Sequence, residues 1–194
     1  MASTIQVDTI KDSGGTTVLA SDGGGTALTP LPIGFGGTGA ATLAAAGLAN
    51  TPSWSVYLSA NQSISDATLT KIQFNTEIYD TDNIYDNTTN YKITIPAGEG
   101  GKYYVEGCLF FDDCDAGLYA SVKFYKNGAE LTAPYFMDQV SGGASADNIF
   151  VSFSGLINLA ATDTASLYVY QNSGGSGNVR GNWARFSGFK VIGA

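Results

Sequence analysis

Histidine is absent from the chain. That removes the commonest general base, the commonest metal ligand and every Ser-His or Cys-His nucleophile pair. Basic residues are also few: nine Lys and Arg stand against seventeen Asp and Glu, for a net charge of −8. Scattered cations on an acidic chain match a phosphate backbone poorly, so no nucleic-acid partner is expected. No apolar run approaches the roughly 20 residues of a helical membrane span, and no membrane insertion is expected. The opening MASTIQVDTIKDSGG lacks the basic start and apolar stretch of an export signal. It predicts a protein made in a cytoplasm and not exported by the usual route. Cys108 and Cys114 are the two cysteines, too few for a disulfide framework. They are close enough to close a small loop, but the reading adopted is two reduced thiols, with Cys108 packed as a small apolar side chain. Zinc would need ligands that the chain lacks.

Aromatic residues are missing from one stretch. Of two Trp, eleven Tyr and ten Phe, only Phe35 falls within the first fifty positions. Large rings supply much of the area that packs a core. Residues 1–50 therefore cannot form an ordinary globular domain, whereas residues 51–194 can. The expectation is an extended anchor arm followed by one head. Within the arm, Ile5, Val7, Ile10 and Val18-Leu19 alternate with Ser13-Gly14-Gly15 and the Gly23–Gly25 run. That pattern allows a hairpin, or a strand that pairs with something else. Ala40–Ala46 reads as a short helix ending at Gly47.

From Ser53 onward the pattern is that of strands, expected over 54–60, 69–79, 90–96, 102–111, 118–126, 130–138, 147–159, 165–172 and 183–192. Gly-rich turns separate them, and Asn127-Gly128 is the clearest hairpin signal. Short strands at this spacing predict an all-β fold, an antiparallel two-sheet jelly-roll sandwich. Strand 118–126 alternates Leu118, Ala120, Val122 and Phe124 with Tyr119, Ser121, Lys123 and Tyr125, giving one buried face and one wet face. Strand 102–111 is apolar on both: Tyr103, Val105, Leu109 and Phe111 on one side, Tyr104, Cys108 and Phe110 on the other, with Glu106 among them. The last strand repeats this, with Trp183, Phe189 and Val191 opposed to Ala184, Phe186 and Ile192. A strand apolar on both faces needs cover on both. Self-association is therefore expected, with Tyr104, Cys108, Phe110, Trp183, Phe186 and Phe189 as candidate contacts.

Motifs with catalytic chemistry are scarce. GFGGTG (Gly34–Gly39) matches a dinucleotide fingerprint only formally, because no buried strand precedes it and no acid follows at about 20 residues. The cluster Asp80, Asp82, Asn83, Asp86 could hold Ca²⁺ but lacks the EF-hand glycine and terminal Glu, and it reads as a polar connection. Asp112, Asp113 and Asp115 read as an acidic loop. The sequons at Asn61 and Asn87 are idle without secretion. No cofactor, metal site or enzyme activity is expected. Tyr119, Tyr125, Tyr168 and Tyr170 form an outward row that suits either cross-strand pairing or glycan contact.

Four stretches resemble the globular heads of complement q-type proteins, within the tumour-necrosis-factor-like jelly rolls. They are YKITIPAGEGGKYYVEG (Tyr91–Gly107), VKFYKNGAEL (Val122–Leu131), LAATDTASLYVYQN (Leu159–Asn172) and FSGFKVIG (Phe186–Gly193). The resemblance implies a homotrimer around a three-fold axis with an aromatic inner sheet at the contact. No collagen-like Gly-x-y period precedes the head. Instead VDTIKDSGGTTVLASDGGGT (Val7–Thr26) and GGTGAATLAAAGLA (Gly36–Ala49) resemble leads of tailed-bacteriophage fibre proteins. That implies a virion surface protein assembled in a bacterial cytoplasm: a short fibre, spike or capsid decoration. Residues 1–50 would dock on a capsid or tail component, and the head would face outward toward a host glycan. A tail-fibre receptor-binding tip, or a lectin-like module without a virion, is the alternative.

Overall fold

The computed structural model describes residues 9–11, 13–15, 17–20, 50–112, 119–131, 138–141 and 148–191. The chain divides into two units, Met1–Ala49 and Asn50–Ala194. In the first, β1 (Thr9–Lys11) and β2 (Thr17–Ala20) pair as an antiparallel hairpin with Ile10 opposite Leu19. Its turn carries Gly15 at φ 83°, a left-handed conformation that glycine adopts without steric cost. The stretch thus takes the hairpin of its two options. The helix expected at 40–46 lies outside the described residues, and no helix occurs among the described ones.

The second unit is two antiparallel sheets. The first contains β3 (Ser53–Tyr57), β4 (Gln62–Ile64), β6 (Thr76–Asp80), β9 (Gly101–Asp112), β13 (Asn148–Leu159), β15 (Gly177–Val179) and β16 (Arg185–Lys190). Its order is β4-β15-β9-β16-β3-β6, with β13 along the other side of β9. The second contains β5 (Thr70–Lys71), β7 (Tyr85–Asp86), β8 (Lys92–Thr94), β10 (Tyr119–Lys126), β11 (Ala129–Glu130), β12 (Asp138–Ser141) and β14 (Thr164–Gln171). Its order is β11-β10-β14-β8-β7, with β12 on β10 and β5 on β14.

Two-residue alternation decides which side of each strand is buried. On β9, Tyr103, Val105, Leu109 and Phe111 point inward and are fully buried. They meet Ala120, Val122 and Phe124 of β10 and Ala165, Leu167 and Val169 of β14 in one core. Phe186 is the aromatic hub of that core, with ring centroids 5.4 Å from Trp54, 6.0 Å from Phe74 and 6.3 Å from Phe124. Glycine makes room for these rings. Gly188 lies opposite Trp54, and a Cβ there would overlap the indole and come within 2.8 Å of the Tyr104 carbonyl oxygen. A Cβ at Gly107 would stand 2.5 Å from the Phe153 ring.

The expected strand 69–79 is two strands. β5 pairs with β14 in the second sheet and β6 with β3 in the first. Between them Ile72 and Phe74 cross the interior, both buried. Their spacing of two mimics a single strand, which is why the run reads as continuous. The expected strand 130–138 reaches only the last residue of β11 and the first of β12, while 132–137 lie outside the described residues. Strands β4 and β15, three residues each, sit in polar and Gly-rich sequence that carries no strand signal.

The Asn127-Gly128 turn also ties β10 to β14. Asn127 Nδ2 donates to Asp163 Oδ1 at 2.6 Å, and its Oδ1 accepts the Thr164 N–H at 2.8 Å. Lys126 Nζ stands 2.8 Å from Asp163 Oδ2, which also accepts the Ala160 N–H. Lys126 first, then Asn127, hold the Asp163 carboxyl down at about 2, from 3.8.

Three outcomes are expected. Gly188→Ala should destabilise the fold by about 1–3 kcal/mol through overpacking against Trp54. Ser187→Ala, one residue away on the outer face, should cost about 0.5–1.5 kcal/mol for one hydrogen bond, as urea unfolding would resolve. The depressed Asp163 pKa adds stability that is complete above about pH 4 and is lost as pH falls toward 2. In Asp163→Asn that part of the acid dependence should vanish, leaving a flatter melting temperature between pH 4 and 2.

Candidate functional site

The outer face of the first sheet is assembled by register. Across β13, β9, β16 and β3, Phe150 lies opposite Phe110, and Ser152 opposite Cys108, followed by Arg185 and Tyr57. The next rows are Ser154, Glu106, Ser187 and Ser55, and then Leu156, Tyr104, Phe189 and Ser53. Tyr79 of β6 extends the third row beyond Ser55. The result is an apolar cluster at each end and a polar centre. Phe150, Leu156 and Trp183 are each more than half exposed, at 55, 56 and 54 %.

Trp183 reaches this face on an excursion between β15 and β16. The Arg180 N–H still bonds Phe110 O at 2.8 Å, and then the chain leaves the β9 ladder. Asn182 N–H bonds Leu58 O at 2.6 Å, and Gly181 N–H bonds Asn61 Oδ1 at 2.9 Å. Gly181 lies so close to Ala60 that a Cβ would stand 2.5 Å from that backbone. The excursion sets the Trp183 ring 5.5 Å from Phe110, with the Arg180 guanidinium 5.5 Å from Phe110 and 5.4 Å from Trp183. At the other end the Tyr104 and Phe189 rings are 5.5 Å apart.

Between the clusters lies a depression of about 670 Å³, lined by Glu106, Cys108, Arg185 and the hydroxyls of Ser55, Ser152 and Ser187, among others. Ser55 Oγ and Ser187 Oγ share a hydrogen bond of 2.9 Å. Burial pushes the Cys108 thiol up, against a smaller lowering by Arg185. It stays protonated at neutral pH and donates weakly to Trp183 O at 3.6 Å. A protonated, part-buried thiol is a packing group rather than a nucleophile. Cys114, Asp113 and Asp115 lie outside the described residues.

Five of the six candidate contact residues, Tyr104, Cys108, Phe110, Trp183 and Phe189, border this face. Phe186 does not. It lies three residues from Phe189 on a period-two strand, hence on the opposite side, and is fully buried in the core. A side chain without exposed surface touches no second chain, so Phe186 leaves the set. Phe150 and Leu156 join it. Their signal was legible in 148–159, where they fall out of phase with Ile149, Val151, Ile157 and Leu159.

The four candidate glycan tyrosines share the outer face of the second sheet. Tyr125 and Tyr168 rings are 4.3 Å apart, Tyr119 and Tyr170 are 6.0 Å apart, and Lys71 Nζ sits 5.4 Å from the Tyr168 ring. The acidic cluster is consumed by its own turn. Asp86 accepts the N–H groups of Thr88, Thr89 and Asn90 and the Asn90 amide. These bonds, the Thr89 N–H foremost, hold its carboxyl well below the ordinary range. Asp80 Oδ2 accepts the Tyr85 N–H at 2.7 Å. Among the described residues no group of His, Cys, Asp and Glu converges as metal ligands.

No family model matches the chain, and no curated protein matches it. Solved structures do. The globular domain of zebrafish complement 1qA protein aligns with a TM-score of 0.50 at 16 % identity, over 73 % of this chain and 98 % of that one. Murine APRIL aligns with a TM-score of 0.50 at 12 % identity, over 72 % and 99 %. Likeness at that identity shows the fold: the head is a complement q-type and tumour-necrosis-factor-like jelly roll.

Phe186→Ala is expected to cost about 3–5 kcal/mol of folding stability. Phe189→Ala, which loses an outer ring pair, should cost about 0.5–1.5 kcal/mol. Urea midpoints at low protein concentration separate the two, and equal losses would contradict the assigned facing.

Proposed function

We propose that this chain is a non-catalytic binding protein whose head self-associates as a homotrimer through the outer face of the first sheet. The observation that carries this reading is that face itself. Among the described residues six large hydrophobic side chains are exposed, Leu69, Ile78, Tyr79, Phe150, Leu156 and Trp183, and the last four are gathered on or beside it. Monomers rarely leave such a contiguous surface to water. The jelly-roll fold supports the trimer, since the resemblance of the head implies that assembly. Residues 1–50 act as the anchor. The likeness of Val7–Thr26 and Gly36–Ala49 to phage fibre leads supports placement on a virion surface, as a short fibre, spike or decoration. With one face given to self-association, the Tyr119, Tyr125, Tyr168 and Tyr170 face is the surface left for a host glycan.

Light scattering of the purified chain should give about three times the 20.1 kDa chain mass; a monodisperse monomer overturns the assembly. A 51–194 fragment should trimerise yet fail to decorate particles that lack the protein. Residues 1–50 fused to an unrelated trimer should dock, three copies raising the avidity of a weak contact. Decoration by the isolated head, or none by the fusion, places the anchor in the wrong half.

A further inference from the structure

Resting on the self-association reading above, we propose that Glu106 of one copy pairs with Arg185 of the next, and that this ion pair sets the register in which the outer faces meet. The two residues stand on adjacent strands, Glu106 opposite Ser187 and Arg185 opposite Cys108. Both are exposed, and they are the two charged members of the lining of the central depression. Neither has an ion-pair partner among the described residues. Tyr104 Oη donates to Glu106 Oε2 at a long 3.4 Å. Three other cations of the head have found their acids within the chain: Lys123 with Glu130, Lys126 with Asp163 and Lys190 with Glu99, at 2.8–2.9 Å.

A second copy laid over the apolar ends would close the centre to water as well. A lone charge withdrawn from water is costly, and one that meets an opposite charge with hydrogen bonds is not. Any other partner would need an acid and a base at matching spacing, whereas a second copy brings both. At about 670 Å³ the depression has room for an arginine side chain, and beside the larger Tyr79, Tyr104 and Phe153 it is lined by Ser55, Ser152, Ser154 and Ser187. Their hydroxyls are available to the guanidinium edges that the carboxylate leaves free. Charge complementarity of this kind fixes register and rejects misaligned encounters.

The test is a charge-reversal mixing experiment on the full chain. Glu106→Arg and Arg185→Glu each place like charges at the junction. Each alone should weaken self-association on the order of a hundredfold or more. The double variant carrying both changes exchanges the two charges and so restores opposite charges at every junction of a trimer. It should self-associate like the wild type yet exclude tagged wild-type chains, because each mixed junction brings like charges together, as native mass spectrometry would read. A pair formed inside one chain would let the two mix freely. If the wild-type chain associates but the single variants associate as tightly, or if the double variant stays apart or mixes freely with the wild type, the pair is overturned and self-association stands. A monomeric wild-type chain overturns both. Should circular dichroism show either reversed chain unfolded, Glu106→Gln and Arg185→Gln carry the test. Their affinity losses are less than additive if the pair exists, and additive losses overturn it.

Discussion

A β-strand turns alternate residues to opposite sides, and β9 is apolar on both. This constraint organises the head. The side bearing Tyr103, Val105, Leu109 and Phe111 is satisfied within the chain, by the second sheet and by Phe186 and Trp54. The side bearing Tyr104, Cys108 and Phe110 has no second layer above it among the described residues. The flanking strands β13 and β16 repeat the pattern, so the uncovered area is a continuous face rather than a stray ring. Glycine at 107 and 188 belongs to the same account: the inner side is so full of aromatic rings that two inward positions hold no side chain at all.

The two outer faces of the sandwich are resolved differently. On the second sheet, tyrosines pair with tyrosines across strands, Lys71 lies near a ring, and Lys123 has Glu130 at 2.8 Å. On the first sheet the aromatics gather at the ends, and the charges between them are left unmatched. The proposed division of labour, self-contact on one face and external contact on the other, follows from that difference in internal satisfaction. It needs no catalytic group, and the carboxylates with lowered pKa, Asp86 and Asp163, are spent on turns.

Much of this was legible in residue order. Period-two alternation over 102–111 and 118–126 identified the strands and their sides, and Asn127-Gly128 marked its hairpin. Three kinds of feature were not legible. Phe186 and Phe189 read as lying on opposite sides of the last strand, but with both sides apolar the residue order does not say which one faces the core, and the structure gives that place to Phe186. Ile72 and Phe74 keep strand spacing while the backbone crosses between sheets, and side-chain alternation alone does not say which strand a residue bonds. Trp183 sits on an excursion from the β9 ladder held by Leu58, Asn61 and Ala60, contacts more than a hundred positions away that local pattern does not encode. Glu106 and Arg185 look like ordinary surface charges until register places them in one depression.

The strand order has a consequence for how the head comes into being. β3 opens the head unit, yet its hydrogen-bonding neighbours are β6 and β16, and β16 is the link between that pair and β9. During synthesis β3 and β6 therefore wait as a two-strand ribbon, with Trp54 lacking the Phe186 ring, until residues 185–190 have left the ribosome. The core around Trp54 is complete only once β16 is in place. A nascent chain of this topology leaves Trp54 and its neighbours exposed until β16 emerges, which favours fast closure around β16 and penalises lesions in that strand more than equal lesions in β3.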